Sequence, residues 1–438
     1  MNDSSLDLSS VAEDAAGRRP GSASRARSMA HPWIKLLAIA GPGLVVMLAD
    51  TDVGSVITAA QSGAQWGYQL LWLQVVLIPV LFVVQELTVR LGVHTGQGHG
   101  ELIRRRFGPG WAWVSVGGLM IASVGALITE FSGVVGVGQL LGVPPAASLT
   151  MAVILLLGIV FTGSYARVER IALALGAFEL AFVAVACYSH PQLSALTQEF
   201  TAAPMLEPRY LYLVGANIGA VIMPWMVFYQ QSAVTDKGLQ PRDLRAARWD
   251  TAVGAIVTQI VMGAVLVAAA VALSSPHGAE PALNTIGQIS HALTPVLGDA
   301  LGRFAFSLGV LGAAMVAAIV VSLAAAWGLG EVTGYRHSLS HRPVQAPWFY
   351  VIYTLAVVAG ALTVGFTDNL VTLSIAVEVL NALLLPLVLG FLLALTFKAL
   401  PAAVRPRGIY AGIVVSVVVL TSVLGVVSGV VGALGLGA

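Results

Sequence analysis

The sequence predicts an all-α integral membrane protein with eleven transmembrane helices, the first and sixth of them broken. Three observations carry that prediction. The 438 residues are 57% hydrophobic and only 10% charged, with a mean hydropathy of +0.87, whereas a soluble domain needs about a quarter of its residues charged. Eleven separate apolar runs are long enough to cross a bilayer, which takes roughly 20 residues each. Lysine and arginine collect after every second run, as in a chain that weaves through a membrane.

Residues 1–31 are polar and rich in Ser, Ala and Arg, with no apolar core that would make a cleavable signal, so they read as a disordered cytoplasmic tail. The transmembrane region is expected over 32–438. Its runs lie near 34–66, 69–93, 111–140, 146–164, 169–189, 210–235, 249–274, 301–332, 347–366, 369–397 and 408–436. Arg90 and Arg104–Arg106 follow the second run, Arg167 and Arg170 the fourth, and Lys237, Arg242, Arg245 and Arg248 the sixth. Arg336 and Arg342 follow the eighth, Lys398, Arg405 and Arg407 the tenth, and only Arg209 and Arg303 fall on the other side. This predicts a cytoplasmic N-terminus and an outside C-terminus in a plasma (inner) membrane. The net charge of +1 says little about partners, since in a membrane protein the placement of the charges matters; no nucleic-acid partner is expected, and the expected partner is the lipid bilayer. The single cysteine, Cys187, excludes an intramolecular disulfide and reads as a small buried hydrophobe.

The first run contains Gly41-Pro42-Gly43, then Ala49-Asp50-Thr51-Asp52-Val53-Gly54-Ser55, then Gln61-Ser62-Gly63. An aspartate at mid-span costs about 2.5–3.5 kcal/mol on insertion scales, so such residues face a cavity or a partner. The neighbouring glycine lets the backbone unwind and turn carbonyls toward that cavity. The sixth run repeats the plan with Gly215, Asn217 and Gly219, then Ala220-Val221-Ile222-Met223-Pro224-Trp225, then Gln230-Gln231-Ser232. Pro224 has no N–H, which frees a carbonyl one turn earlier, near Ala220. Interrupted segments at matching positions in two halves point to a transporter's central site. Five spans separate them, an odd number, so the halves are inverted: repeat one over about 34–189, repeat two over about 210–397, and an eleventh helix at about 408–436.

The candidate ligands are the Asp52 carboxylate, the Ser55 hydroxyl, carbonyls near Ala49 and Ala220, and the Met223 thioether. Oxygen donors with a carboxylate suit a hard divalent cation, and the thioether adds affinity for softer metals. None of the eight histidines falls inside a run, which argues against a zinc-type cluster. No cofactor loop and no nucleophile–base pair stands out, so neither a cofactor nor an enzymatic activity is expected.

The stretch Gly41-Pro42-Gly43 … Asp52-Val53-Gly54-Ser55 … Gly63-Ala64-Gln65-Trp66-Gly67-Tyr68 … Leu71-Trp72 … Arg90-Leu91-Gly92 … Thr95-Gly96 closely resembles the opening of the Nramp family of metal-ion transporters. Gly219-Ala220-Val221-Ile222-Met223-Pro224-Trp225 resembles that family's sixth-helix motif. The resemblance implies a LeuT-type 5+5 inverted-repeat fold plus one helix, a central metal site and alternating access. It implies Asp52 as the metal carboxylate, Met223 as the soft ligand, and carbonyls from Ala220 and Ala49.

The departures from the family pattern bear on what is carried. The family's Asp-Pro-Gly-Asn reads Asp52-Val53-Gly54-Ser55, and its Met-Pro-His reads Met223-Pro224-Trp225, which removes the histidine linked to proton movement. Glu130 matches the family's third-span glutamate, but the aspartate three residues earlier is Leu127, and the ninth span holds no arginine. These changes resemble the NRAMP-related magnesium transporters and imply Mg²⁺ transport, with Mn²⁺ beside it, without proton coupling. A shorter Ser55 leaves room for the water that Mg²⁺ gives up reluctantly; Met223 pulls toward Mn²⁺ or Fe²⁺.

Further acids are candidates for the ion path. Asp50 either lines the outer vestibule or caps the first half-helix. Glu130 is a hydrogen-bonded structural acid or part of a proton route, and Glu378, with Asn381, lies on a helix that can border the site. Glu86 near Arg90 reads as a structural ion pair or an inner-gate residue. The competing readings are a proton-coupled Mn²⁺/Fe²⁺ symporter and an organic-solute carrier of the same fold, the latter disfavoured because Asp52 repels a substrate carboxylate. The oligomeric state is not legible.

Overall fold

The computed structural model describes residues 41–191, 204–273, 288–290, 299–366 and 370–435. The tail at 1–31 and the first residues of the first run lie outside them. The described chain is helical throughout, without strands. In order, α1 is Pro42–Asp50, α2 Val53–Trp66, α3 Leu71–Thr95, α4 His99–Phe107 and α5 Pro109–Leu140. Next come α6 Pro145–Val160, α7 Tyr165–Gly176, a 3₁₀ turn Ala177–Glu179, and α8 Leu180–Tyr188. Helices α9 Pro208–Val221, α10 Pro224–Asp236, α11 Leu244–Leu273, α12 Asp299–Thr333, α13 Pro347–Val364, α14 Leu370–Lys398 and α15 Gly408–Gly435 complete the order.

Among the described residues nine helices are long and apolar enough to cross a membrane, and α1 with α2 makes a tenth span bent by 48°. All eleven expected runs coincide with helices, but the fourth is shorter than expected. Helix α6 has 16 residues, about 24 Å, which falls short of a hydrocarbon core of about 30 Å. It stops at Val160 because the chain turns through Gly163, whose φ of +58° an L side chain rarely adopts.

Both breaks have local causes. Asp52 is extended (φ −66°, ψ 174°) and caps α2, its carboxylate accepting from the Ser55 N–H at 2.7 Å. The Val53 N–H, which would close an unbroken helix onto Ala49, instead donates to Glu130 Oε2 at 3.3 Å. In the second break Ile222 and Met223 leave helical geometry, and Pro224 opens α10 where its missing N–H costs nothing. This second break interrupts the hydrogen-bond ladder while α9 and α10 continue as one span, Pro208–Asp236.

In the most apolar stretch of that span 89% of the residues are buried, against 33% in the corresponding stretch of Tyr165–Tyr188 and 39% in that of Gly408–Val431. The broken helices therefore lie at the centre, with α12 also largely enclosed, and α7, α8 and α15 lie at the periphery. Outward-facing Leu155, Leu355, Leu420 and Leu424 are each more than half exposed, an apolar belt that fits lipid as the solvent. Cys187 belongs to this outer face: it is exposed, not the buried hydrophobe expected from its apolar run, because α8 lies on the periphery.

Small residues let the central backbones touch. A Cβ on Gly219 would lie 1.8 Å from the Glu378 carbonyl oxygen and 2.8 Å from the Ala382 nitrogen, so α14 rests directly on α9. A Cβ on Gly54 would lie 2.1 Å from Glu378 Oε1, so the same residue reaches the first break with its side chain.

Candidate ion-binding site

The two breaks meet. The Ser55 hydroxyl donates to the Ala220 carbonyl at 3.1 Å. Pro224 leaves that carbonyl without its helical donor, and a side chain from the other break replaces it. Asp52, Ser55, Ala49, Ala220 and Met223 are all fully buried, at 0% exposure. Sequence reading brought these five residues together, and the structure places all of them at the two breaks.

Their chemistry is more specific than the sequence conveyed. Asp52 Oδ1 is occupied by the Ser55 N–H, while Oδ2 has no protein partner. The Met223 thioether accepts a hydrogen bond from Trp225 Nε1 at 3.2 Å. Trp225 thus fills the place after Pro224 and engages the sulfur, which would have to release that bond, or use another lone pair, to meet a cation. The Ala49 carbonyl sits at the end of α1, where the Val53 N–H has been diverted to Glu130.

Around this core lie further acids. Glu130 Oε1, Glu378 Oε1 and both oxygens of Asp50 are buried without protein partners among the described residues. Glu130 and Glu378 are each within electrostatic reach of Asp52, and Asp50 of both Asp52 and Glu378. Asn381 Nδ2 donates to Glu378 Oε2 at 2.9 Å and orients it. The basic side chains seen pairing with acids do so elsewhere: Arg90 and Arg248 on Glu86, at 2.6 and 2.9 Å, and Lys237 on Glu169 at 2.8 Å. Glu86 also accepts from the Tyr410 hydroxyl at 2.8 Å, so it joins two arginines and a tyrosine in one cluster. Among the described residues, no three His, Cys, Asp or Glu side chains converge closely enough to hold a metal on their own. A cation here would need mixed donors: carboxylate, carbonyl, hydroxyl and thioether, with water.

Sequence alone marks Glu179 as a further mid-span acid, but it gives neither that residue's partner nor the part Asp250 plays in holding the first break from outside. The Thr51 hydroxyl donates to Glu179 Oε2, from the 3₁₀ turn between α7 and α8. Asp250 Oδ2 accepts from the Gly41 and Gly43 N–H groups at 3.0 and 2.8 Å, anchoring the start of α1 to α11. An acid alone in an apolar run was the available signal for Glu179; for Asp250 none existed, since it borders a basic stretch.

Two interrupted helices, tied to each other at a buried centre lined with acids and enclosed by spanning helices, define a membrane carrier of the inverted-repeat type. The chain matches the family model described as "Natural resistance-associated macrophage protein-like" over residues 43–430, and it belongs to that family, the Nramp transporters. The family is one of membrane metal-ion transporters, not enzymes. Among curated proteins it is 29% identical to "Divalent metal cation transporter MntH 1" of Pseudomonas aeruginosa, over 65% of this chain and 67% of that one. It is 26% identical to "Divalent metal cation transporter MntH" of Acidiphilium cryptum, over 90% and 92% of the two chains. Among solved structures it resembles the Eremococcus coleocola manganese transporter in complex with an aromatic bis-isothiourea substituted compound. The TM-score is 0.73 at 19% identity, covering 91% of this chain and 87% of that one. A Na⁺-coupled sialic acid symporter in its outward-open state aligns with a TM-score of 0.61 at 14% identity, covering 89% and 87%. The fold is the LeuT-type arrangement expected from sequence.

Proposed function

We propose that this chain imports divalent cations across the plasma (inner) membrane by alternating access, carrying Mg²⁺ and also Mn²⁺ without coupled protons. The observation that carries the reading is the Ser55–Ala220 bond, which joins the two breaks beside the free oxygen of Asp52. Asp52 would bind the ion directly, with the carbonyls of Ala220 and Ala49 and the Ser55 hydroxyl completing the oxygen set. Glu378 and Glu130 would accept hydrogen bonds from the ion's water, which suits Mg²⁺ because it keeps several waters. Met223, held by Trp225, would be a weak soft ligand, which explains why Mn²⁺ is accepted and not strongly preferred.

Rocking of one repeat, over about 34–189, against the other, over about 210–397, would expose the centre alternately to each side. The lysine and arginine pattern supports a cytoplasmic N-terminus and an outside C-terminus.

A second reading, a proton-coupled Mn²⁺/Fe²⁺ symporter, draws on Glu130 and Glu378, buried acids with an unpartnered oxygen and therefore able to carry a proton. An organic anion fits poorly among so many carboxylates. Uptake into proteoliposomes containing a pH dye separates the readings. Uptake of Mg²⁺ and Mn²⁺ without internal acidification is expected. Mn²⁺ uptake with acidification and no Mg²⁺ uptake would overturn the proposal in favour of the symporter.

A further inference from the structure

Glu179 is the buried acid that neither the proposed ligands nor an ion pair accounts for. It is fully buried, at 0% exposure, and closes the 3₁₀ turn Ala177–Glu179 facing the first break. Its Oε2 accepts the Thr51 hydroxyl, and its Oε1 has no protein partner. Thr51 lies between Asp50 and Asp52, at the last turn of α1. Asp50 is 1% exposed and neither of its oxygens has a protein partner. Both Asp50 and Asp52 are within electrostatic reach of Glu179.

Buried carboxylate oxygens without partners are costly unless a cation or water meets them. Here the cost is compounded. Asp50, Asp52, Glu130, Glu179 and Glu378 are five buried acids that each keep at least one oxygen without a protein partner among the described residues. The C-terminal end of α1 at Asp50 adds the negative end of a helix dipole, which favours positive charge. The Thr51 hydroxyl has one proton, for which Glu179 Oε2 and the Leu48 carbonyl, 2.9 Å away, both stand as acceptors, and its oxygen lone pairs stay open to a hard cation.

We propose that Asp50, Thr51 and Glu179 form a second cation position, on the α7–α8 side of the first break, that takes a hard divalent cation beside the one held by Asp52. The position rests on the divalent-cation reading of the centre. It differs from that centre in its donors, Asp50, Thr51 and Glu179, and in having no soft ligand.

Calorimetric titration of the full-length protein in detergent with Mg²⁺, and separately with Mn²⁺, tests it. The informative variant is Glu179→Gln, whose amide oxygen still accepts from Thr51 but carries no charge; Asp50→Asn reads the same position if that variant does not fold. About two bound equivalents are expected for the wild type and about one for either variant, with Asp52→Asn losing the other. One equivalent in the wild type, abolished by Asp52→Asn and kept by Glu179→Gln, would overturn the second position and leave the central site standing. Two equivalents that survive both Glu179→Gln and Asp50→Asn would also overturn it. Absence of binding by the wild type would overturn both readings.

Discussion

Ser55 and Ala220 are 165 positions apart in the chain and 3.1 Å apart in space. A hydroxyl on one broken helix satisfies the carbonyl that a proline has released on the other. The bond ties the two broken helices together at the buried centre.

Ser55→Ala leaves the Ala220 carbonyl buried and unpaired, and this should cost about 1–3 kcal/mol. Thermal unfolding in detergent is expected to shift downward, and uptake of both cations to fall. Unchanged unfolding temperature and uptake would show that the bond contributes nothing.

The tight approach of α14 sets two glycines apart in severity. Gly219→Ala drives a methyl into the Glu378 backbone oxygen, 1.8 Å away, which cannot yield, so no monodisperse protein should be recovered. Gly54→Ala meets the end of the Glu378 side chain instead, which can turn away. That variant should fold and lose transport, about tenfold or more. Size-exclusion profiles followed by uptake assays distinguish the two.

Asp250 holds the Gly41 and Gly43 N–H groups at the start of α1. Replacing it with alanine leaves those donors unpaired, which should weaken the seat of α1 by roughly 1–3 kcal/mol. Hydrogen exchange over Pro42–Asp50 is expected to speed up in Asp250→Ala, while exchange in α15 stays as in the wild type. Equal protection of α1 in both proteins would refute the anchor.

His99 gives a pH dependence outside the spans. Burial pushes its pKa down from the ordinary 6.5 to about 4, and Nδ1 contacts Gln231 Oε1 at 3.1 Å. A folded pKa below the unfolded one means that stability is full above pH 6.5 and declines as pH falls toward 4. The slope approaches 1.4 kcal/mol per pH unit over that window. His99→Gln should flatten this part of the stability profile between pH 7 and 5. An identical slope in the variant would assign the acid sensitivity to other groups.

The Met223 sulfur, already engaged by Trp225, should matter only to the softer ion. Met223→Ala is expected to weaken Mn²⁺ binding by about tenfold and to change Mg²⁺ binding by less than about twofold. Equal losses for both ions in calorimetric titrations would make the residue a packing element.

The sequence determined the class of fold and the place of the centre, because both are written in local signals. A run of twenty apolar residues has one stable form in a bilayer, since every backbone group must find its partner within the helix. Asp52 beside Gly54, and Met223 beside Pro224, mark interruptions that the chain cannot avoid at those positions. What only the tertiary structure decided is which distant groups answer the polar atoms these interruptions release. Ala220 is answered by Ser55, Val53 by Glu130, Thr51 by Glu179 and the start of α1 by Asp250. Such pairings depend on which helix faces lie against one another, and near-uniform apolar runs carry little periodicity to say so. The exposure of Cys187 and the early end of α6 belong to the same category. In lipid both faces of a helix are apolar, so hydrophobicity alone does not separate the wall from the core.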